Sequence, residues 1–288
     1  IINMLNKRIY ILLIVGLFAI STSPVIAKLL PSIPASIIAF WRMAFASIIL
    51  WIYTGLFTSG PIVTKSSKLV YLAGASLAMH FIFWFGALKL TSIANTTVLG
   101  IVAPAFTLLI ERFVYGEKIN ALSSISLIII FSGCIIVQGN DLGNLRGVGL
   151  GNIMAIISAV FLGVVFLIGS KVRQNTGALP YTKNLFTISA IVLLFCSLLL
   201  NNSIFNYSAE NYFWLLMLGI VPTLIGHTIF SYSIKFVSPT IIASIPLGEP
   251  IIASILAFIL FSEGVASNVF IGGVIIAIGL IFLIRSNN

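Results

Sequence analysis

Apolar runs of about 20 residues, long enough to cross a bilayer as helices, follow one another along the whole chain with short polar breaks between them. They predict ten spans. The first five are Ile9–Leu29, Pro34–Gly55, Leu69–Leu88, Ala94–Phe113 and Ile119–Val137. The second five are Gly149–Ser170, Leu179–Leu200, Tyr212–Phe236, Pro239–Phe261 and Val269–Ile284. None alternates apolar and polar positions as barrel strands do. Gly139–Arg146, rich in Gly, Asn and Asp, separates the two sets, so the expected units are residues 1–143 and 144–288. Lys7-Arg8, the apolar run after it and Val25-Ile26-Ala27 imitate a cleaved signal peptide. The run is longer than a signal core, and its removal would leave the first set one span short. The expectation is an uncleaved first helix.

The run Ser238–Glu263 repeats, at a few key positions, the pattern of Ser92–Glu117. Adding 146 to Ser92, Pro104 and Glu117 gives Ser238, Pro250 and Glu263. Five spans is an odd number, so the second copy enters the membrane from the opposite side. The expected fold is an all-α integral membrane protein of ten transmembrane helices, arranged as two inverted five-helix repeats. Secondary transporters are commonly built this way, with the site near the midplane between the repeats. Small residues recur on two helices: Gly147, Gly151, Ala155, Ala159 and Gly163 on the sixth, and Gly16, Ala19, Ser23 and Ala27 on the first. Such stripes let helix backbones approach closely in lipid, and both are expected to be packing faces.

Composition excludes a water-soluble domain. Hydrophobic residues make up 60% of the chain, charged residues 7%, and the mean hydropathy is +1.19. Soluble domains carry about 25% charged residues. The net charge of +9 is spread thinly over many short loops, so it is no nucleic-acid footprint. Its distribution predicts orientation through the excess of Lys and Arg on the cytoplasmic side. Lys7, Arg8, Lys65, Lys68, Arg112, Lys118, Lys171, Arg173, Lys183, Lys235 and Arg285 fall on one side, and Lys28, Lys89 and Arg146 on the other. Both termini are therefore expected in the cytoplasm. Cys134 and Cys196 form no metal or redox spacing, which leaves them as packing residues; no metal or cofactor is expected.

An ionisable residue at membrane depth is a functional candidate by default. Five qualify: Arg42, His80, Glu111, His227 and Glu249. Glu249 stands directly before Pro250, which should free the carbonyl of residue 246 and disturb the helix. A freed carbonyl and a carboxylate together suit a cation, an amine or a proton. The alternative is a fixed ion pair with Arg42, or a neutral hydrogen-bonded carboxyl. Arg42 is open to the same two readings, because its guanidinium can also hold a substrate carboxylate bidentately.

His80 and His227 occupy corresponding helices at an offset of 147. Each heads a stripe on one helix face, Ser76, His80 and Trp84 against Thr223, His227 and Ser231. Two such stripes would line a central cavity, with Trp84, Phe85 and Tyr232 as cation–π surfaces and the histidines as proton relays. The plain alternative for each is a buried histidine that hydrogen-bonds two helices. Glu111, next to Arg112, is expected at the interface. Asn95, Thr96, Thr107, Asn184 and Thr187 are weaker candidates.

The chain resembles the drug/metabolite transporter superfamily, specifically its EamA-domain branch. The resemblance covers nearly all of it and rests on ordered, duplicated residues. These are Ala103-Pro104 followed by Gly116-Glu117, and Leu247-Gly248-Glu249-Pro250 followed by Ser262-Glu263. Phe40-Trp41-Arg42, Ala87-Leu88 and Thr91-Ser92 add to it; Arg112, Asn120 and Leu247-Gly248 depart from commoner forms. The resemblance implies a carrier in a bacterial or archaeal inner membrane, moving amino acids, their derivatives or other small polar metabolites, often outward.

The combined expectation is a permease working by alternating access on a small-molecule substrate, with protons as a candidate coupling ion and the bilayer as its surroundings. Its pathway would include Arg42, His80, Trp84, His227, Ser231, Tyr232 and Glu249, with helix breaks at Pro104 and Pro250. Two rivals stand beside it: a multidrug exporter of hydrophobic cations, and a membrane enzyme using the histidines on a lipid-linked substrate. Serine-protease, zinc-protease and nucleotide-hydrolysis motifs are all missing from the sequence. Energy would have to come from a gradient or another protein.

Overall fold

The computed structural model describes residues 2–57, 67–115, 121–139, 146–237 and 239–286. All elements among the described residues are helical. The first half contains α1 (Ile2–Ser21), α2 (Ser23–Lys28), α3 (Ala35–Phe57), α4 (Ser67–Leu90), α5 (Ile93–Gly100), α6 (Ala103–Tyr115) and α7 (Ala121–Gln138). The second half contains α8 (Gly147–Asn175), α9 (Ala178–Leu199), α10 (Ala209–Leu218), a π-helical stretch Gly219–His227, α11 (Thr228–Ser233), α12 (Pro239–Ser244), a 3₁₀ turn Ile245–Gly248, α13 (Glu249–Phe261) and α14 (Ser267–Ser286). Among the described residues, eight helices are long and apolar enough to cross a membrane, and two shorter apolar ones, Ala121–Val137 and Ser267–Leu283, accompany them. The expected loop 140–145 and Glu117, Lys118, Asn120 and Ser238 lie outside the described residues, as does the side chain of Glu111.

The outward surface is apolar: Ile14, Phe18, Leu56, Ile128, Phe195, Ile259 and Phe270 are all exposed. Such a belt suits lipid, which charges no penalty for it, whereas water would. Between helices the drive is close packing, and glycine makes it possible. Where α7 crosses α14, a Cβ on Gly133 would lie 2.9 Å from the Gly272 carbonyl oxygen, and one on Gly272 would lie 2.7 Å from that of Gly133. Only glycine fits when backbone meets backbone. The stripe on α8 does what was expected of it from Gly151 onward. Ala155 and Ala159 are buried, and Cβ atoms on Gly151 and Gly163 would strike Thr91 and Thr107. Gly147 takes no part; it is exposed at the helix start with φ +52°.

Two helices are broken at the same place in the matching runs. The first break, at residues 101–102, separates α5 from α6; the second, at residues 245–248, separates α12 from α13. Pro104 and Pro250 each take the second position of the half-helix after the break. There a proline's missing N–H costs nothing and its φ favours a helix start. The expectation for Pro250 is thus corrected: the carbonyl of Pro246 is not freed but accepts the Glu249 N–H. The break comes earlier, at Pro246. The half-helices pack crosswise, α5 on α13 and α6 on α12, so the two broken helices run antiparallel.

Candidate functional site

A cavity of about 40 Å³ lies between the broken helices and is lined by residues from most of the long ones. It is large enough for a few water molecules and too small for an organic metabolite. Gly100 and Ala103 come from the first break, Pro246 and Glu249 from the second. Ser23, Arg42, His80, Phe81, Trp84, Ser158 and His227 contribute from the surrounding helices.

Arg42 is 1% exposed on α3, and its fork is only partly engaged. Nε donates to Thr223 Oγ1 at 2.7 Å and Nη1 to Ser23 Oγ at 2.7 Å. Thr223 passes its own proton to the Leu218 carbonyl, so its oxygen is held ready to accept. The guanidinium carbon lies 4.2 Å from the centroid of the Phe81 ring, a cation–π distance. Nη2 is buried and, among the described residues, has no hydrogen-bond partner. A buried charged donor without a partner is costly, so this is where the site has unused binding capacity.

Glu249 begins α13 and is 7% exposed. The alternative, an ion pair with Arg42, is not formed: among the described residues, the one carboxylate–cation contact within 4.0 Å is Lys28 with Glu263. The two groups face the same cavity without touching, because Arg42 is drawn aside by Ser23 and Thr223. Among the described residues the Glu249 carboxylate accepts no hydrogen bond. Its backbone N–H is tied to Pro246, which fixes where the side chain starts.

The two histidines both line the cavity, but in different ways. His80 Nδ1 is 3.0 Å from the Ser158 carbonyl oxygen and 2.7 Å from its hydroxyl. A carbonyl only accepts, so Nδ1 carries the proton, and the Ser158 hydroxyl donates to the His80 carbonyl at 3.1 Å. His80 therefore joins α4 to α8 while facing the cavity. His227 ends the π-helical stretch and makes edge contacts with Phe81 at 5.4 Å and Phe230 at 6.4 Å; among the described residues its ring has no hydrogen bond.

Trp84 stacks at 6.0 Å on His80 and covers the first break. A Cβ on Gly100 would lie 2.5 Å from the tryptophan ring.

Ser231 and Tyr232 do not reach the cavity. They lie beyond it on α11, where their carbonyls accept from Arg173 Nε at 2.6 Å and Nη2 at 3.5 Å. Ser231 shares the His227 face by spacing, yet the α11 residue that lines the cavity is Phe230. Phe85 lies against Arg42 at 5.7 Å rather than on the cavity wall. The weaker candidates are used inside the fold. Asn95 Nδ2 donates to Asn152, Thr107 to the Ala103 carbonyl, Asn184 to the Pro180 carbonyl, and Thr187 shares a proton with Ser47. Sequence reasoning missed Phe81 and Ser158. Phe81, beside His80 and on the same stretch as Trp84, was within reach; Ser158 carried no signal in the sequence.

The sequence model of the EamA-like transporter family matches residues 7–138 and again residues 149–285. A Bacillus subtilis protein named only as an uncharacterized transporter is 25% identical over 232 residues, covering 78% of this chain and 73% of that one. One from Clostridium kluyveri, also named an uncharacterized transporter, is 27% identical over 207 residues, covering 70% of this chain and 66% of that one. A solved crystal structure shares the fold with a TM-score of 0.71 at 14% identity, covering 96% of this chain and 97% of that one. With two matches that together span nearly its whole length, the chain belongs to the EamA-like transporter family, within the drug/metabolite transporter superfamily.

Proposed function

We propose that the protein is a secondary carrier that exports or exchanges a small polar metabolite across the inner membrane, a zwitterion or amine such as an amino acid or its derivative. It works by alternating access. Its ten spans form two inverted repeats, residues 1–143 and 144–288, with both termini in the cytoplasm. Support for the inversion comes from the crosswise packing of α5 on α13 and α6 on α12, and from breaks that coincide under the 146-residue offset. The two family matches, residues 7–138 and 149–285, agree with that division.

The substrate reading rests on one observation: Arg42 and Glu249 face one buried cavity with binding capacity unused. Oppositely charged groups kept apart in a low-dielectric site will each favour an opposite charge brought by a ligand. A carboxylate at Arg42 Nη2 and an ammonium at Glu249 would satisfy both. His227, whose ring has no hydrogen bond among the described residues, and Glu249 are the groups best placed to exchange a proton. The small cavity volume means that the helices must part to admit a metabolite, as alternating access requires. The hydrophobic-cation reading has less support, since the Phe81 face is already covered by Arg42.

Counterflow in proteoliposomes, against a panel of amino acids, amines and quaternary ammonium dyes, tests the assignment. Glu249→Gln is expected to abolish counterflow while the folded protein remains in the membrane. Unchanged transport by that variant would remove Glu249 from the mechanism, and counterflow of dyes alone would favour the multidrug reading.

A further inference from the structure

A second cavity, of about 210 Å³, opens at the end of the bundle where α2 and α4 finish. Lys28, Lys89, Ala27, Leu88 and Phe85 help to line it. Two ammonium groups share this space and repel each other. Lys28 pairs with Glu263 Oε2 at 3.3 Å. The other oxygen of that carboxylate accepts the Ile93 N–H at 2.6 Å, so Glu263 serves a lysine and the start of α5 together. Lys89 Nζ is held by the carbonyls of Leu30 at 2.6 Å and Pro31 at 2.9 Å. These fix its position but bring no net negative charge. Two cations and one carboxylate leave a single positive charge uncompensated among the described residues, in a cavity with room for a small organic anion. On its inner side lies Phe85, whose ring is 5.7 Å from the Arg42 guanidinium.

We propose that this cavity is an anion-receiving vestibule, in which the carboxylate of a transported metabolite docks between Lys28 and Lys89 on its passage, past Phe85, between Arg42 and the non-cytoplasmic side. The assignment rests on the transporter reading above. Lysine acts as a point charge with rotatable donors, so the vestibule selects for an oxyanion and not for its shape. Shape is left to the planar fork of Arg42. A lipid phosphate offers the same chemistry, and the experiment separates the two sources.

The full chain, with Cys134→Ala and Cys196→Ala, carries Ala27→Cys as a reporter and is reconstituted in phosphatidylcholine vesicles. Leu88→Cys serves if that variant fails to fold. The reporter is reacted with a negatively charged sulfonatoethyl and a positively charged trimethylammonioethyl methanethiosulfonate, each rate being divided by that of a free thiol. The anionic reagent is expected to win by on the order of tenfold, as an uncompensated charge a few ångströms away dictates. Lys89→Gln should remove most of that preference, and sodium acetate or glycine should slow the anionic reagent more than sodium chloride does. Equal rates for the two reagents, or a preference untouched by Lys89→Gln, would overturn the vestibule. Protection by vesicles containing phosphatidylglycerol, with no effect of acetate or glycine, would overturn the metabolite in favour of a headgroup. The readout requires no transport, so it stands or falls separately from the counterflow of Glu249→Gln.

Discussion

The two helix breaks differ in what they present to the cavity. At the first, Gly100 lies under Trp84, and the carbonyl of Ala103 is taken by Thr107 at 2.9 Å; nothing charged comes from this side. At the second, Pro246 replaces the glycine and Glu249 replaces the alanine under the same offset. The position of Thr107 is held by Ala253, whose side chain has nothing to donate. The two matched positions, Gly100 and Pro246, are used for different reasons. Glycine allows the tryptophan to approach the backbone, and proline withholds an N–H. The backbone form is shared while the charge is not. One break is a packed hinge, and the other is that hinge with a carboxylate attached.

The strongest way to break this comparison is to move the charge. Glu249→Gln is expected to lower counterflow by about 100-fold or more, the loss of a charge-assisted contact of about 3 kcal/mol. Ala103→Glu combined with Glu249→Ala places the carboxylate on the first break instead. Partial recovery is expected, since both positions line one cavity. It should remain below wild type, because Ala103 is 1% exposed and packed. Recovery to the full rate would mean that the breaks are interchangeable.

A smaller effect separates the hinges by their packing. Gly100→Ala drives a methyl to 2.5 Å from the Trp84 ring, and thermal unfolding in detergent should register a loss of about 1–3 kcal/mol. Gly248→Ala meets the far end of Leu17, at 2.6 Å. A flexible side chain can give way, so its cost should be smaller. Equal losses at the two sites would remove the distinction between a rigid and a yielding hinge.

The smallest expected effect concerns how the end of the second broken helix is tied down. Glu263→Gln weakens the link to Lys28 and to the start of α5. The pair is partly exposed, so the loss should be about 1 kcal/mol or less. It should appear as faster labelling of Ala27→Cys and little change in melting temperature. Slower labelling would show that the tie does not close this end.

Much of the fold was legible along the chain. The apolar runs agree with the helices to within a few residues at most ends, and Pro104 and Pro250, matched by the 146-residue offset, mark the half-helices that follow the two breaks. Those features depend on local chemistry: the length needed to span lipid, and a ring whose fixed φ suits the start of a helix. The site was legible in part. Arg42, His80, Trp84, His227 and Glu249 do meet at one cavity, because a polar group at membrane depth has few places to go.

Ser231 and Tyr232 do not meet there. Spacing puts Ser231 one turn after His227, but Arg173 holds the carbonyls of Ser231 and Tyr232 away from the cavity. The partners of the charged groups were also beyond the sequence. Arg42 binds Ser23 and Thr223 instead of Glu249, and His80 binds Ser158, through contacts 19, 181 and 78 residues away along the chain. The sequence by itself determined which groups enter the membrane and where helices stop. Only the tertiary structure decided which of those groups are satisfied by neighbours and which stay unpartnered, because that depends on side chains brought together from distant helices.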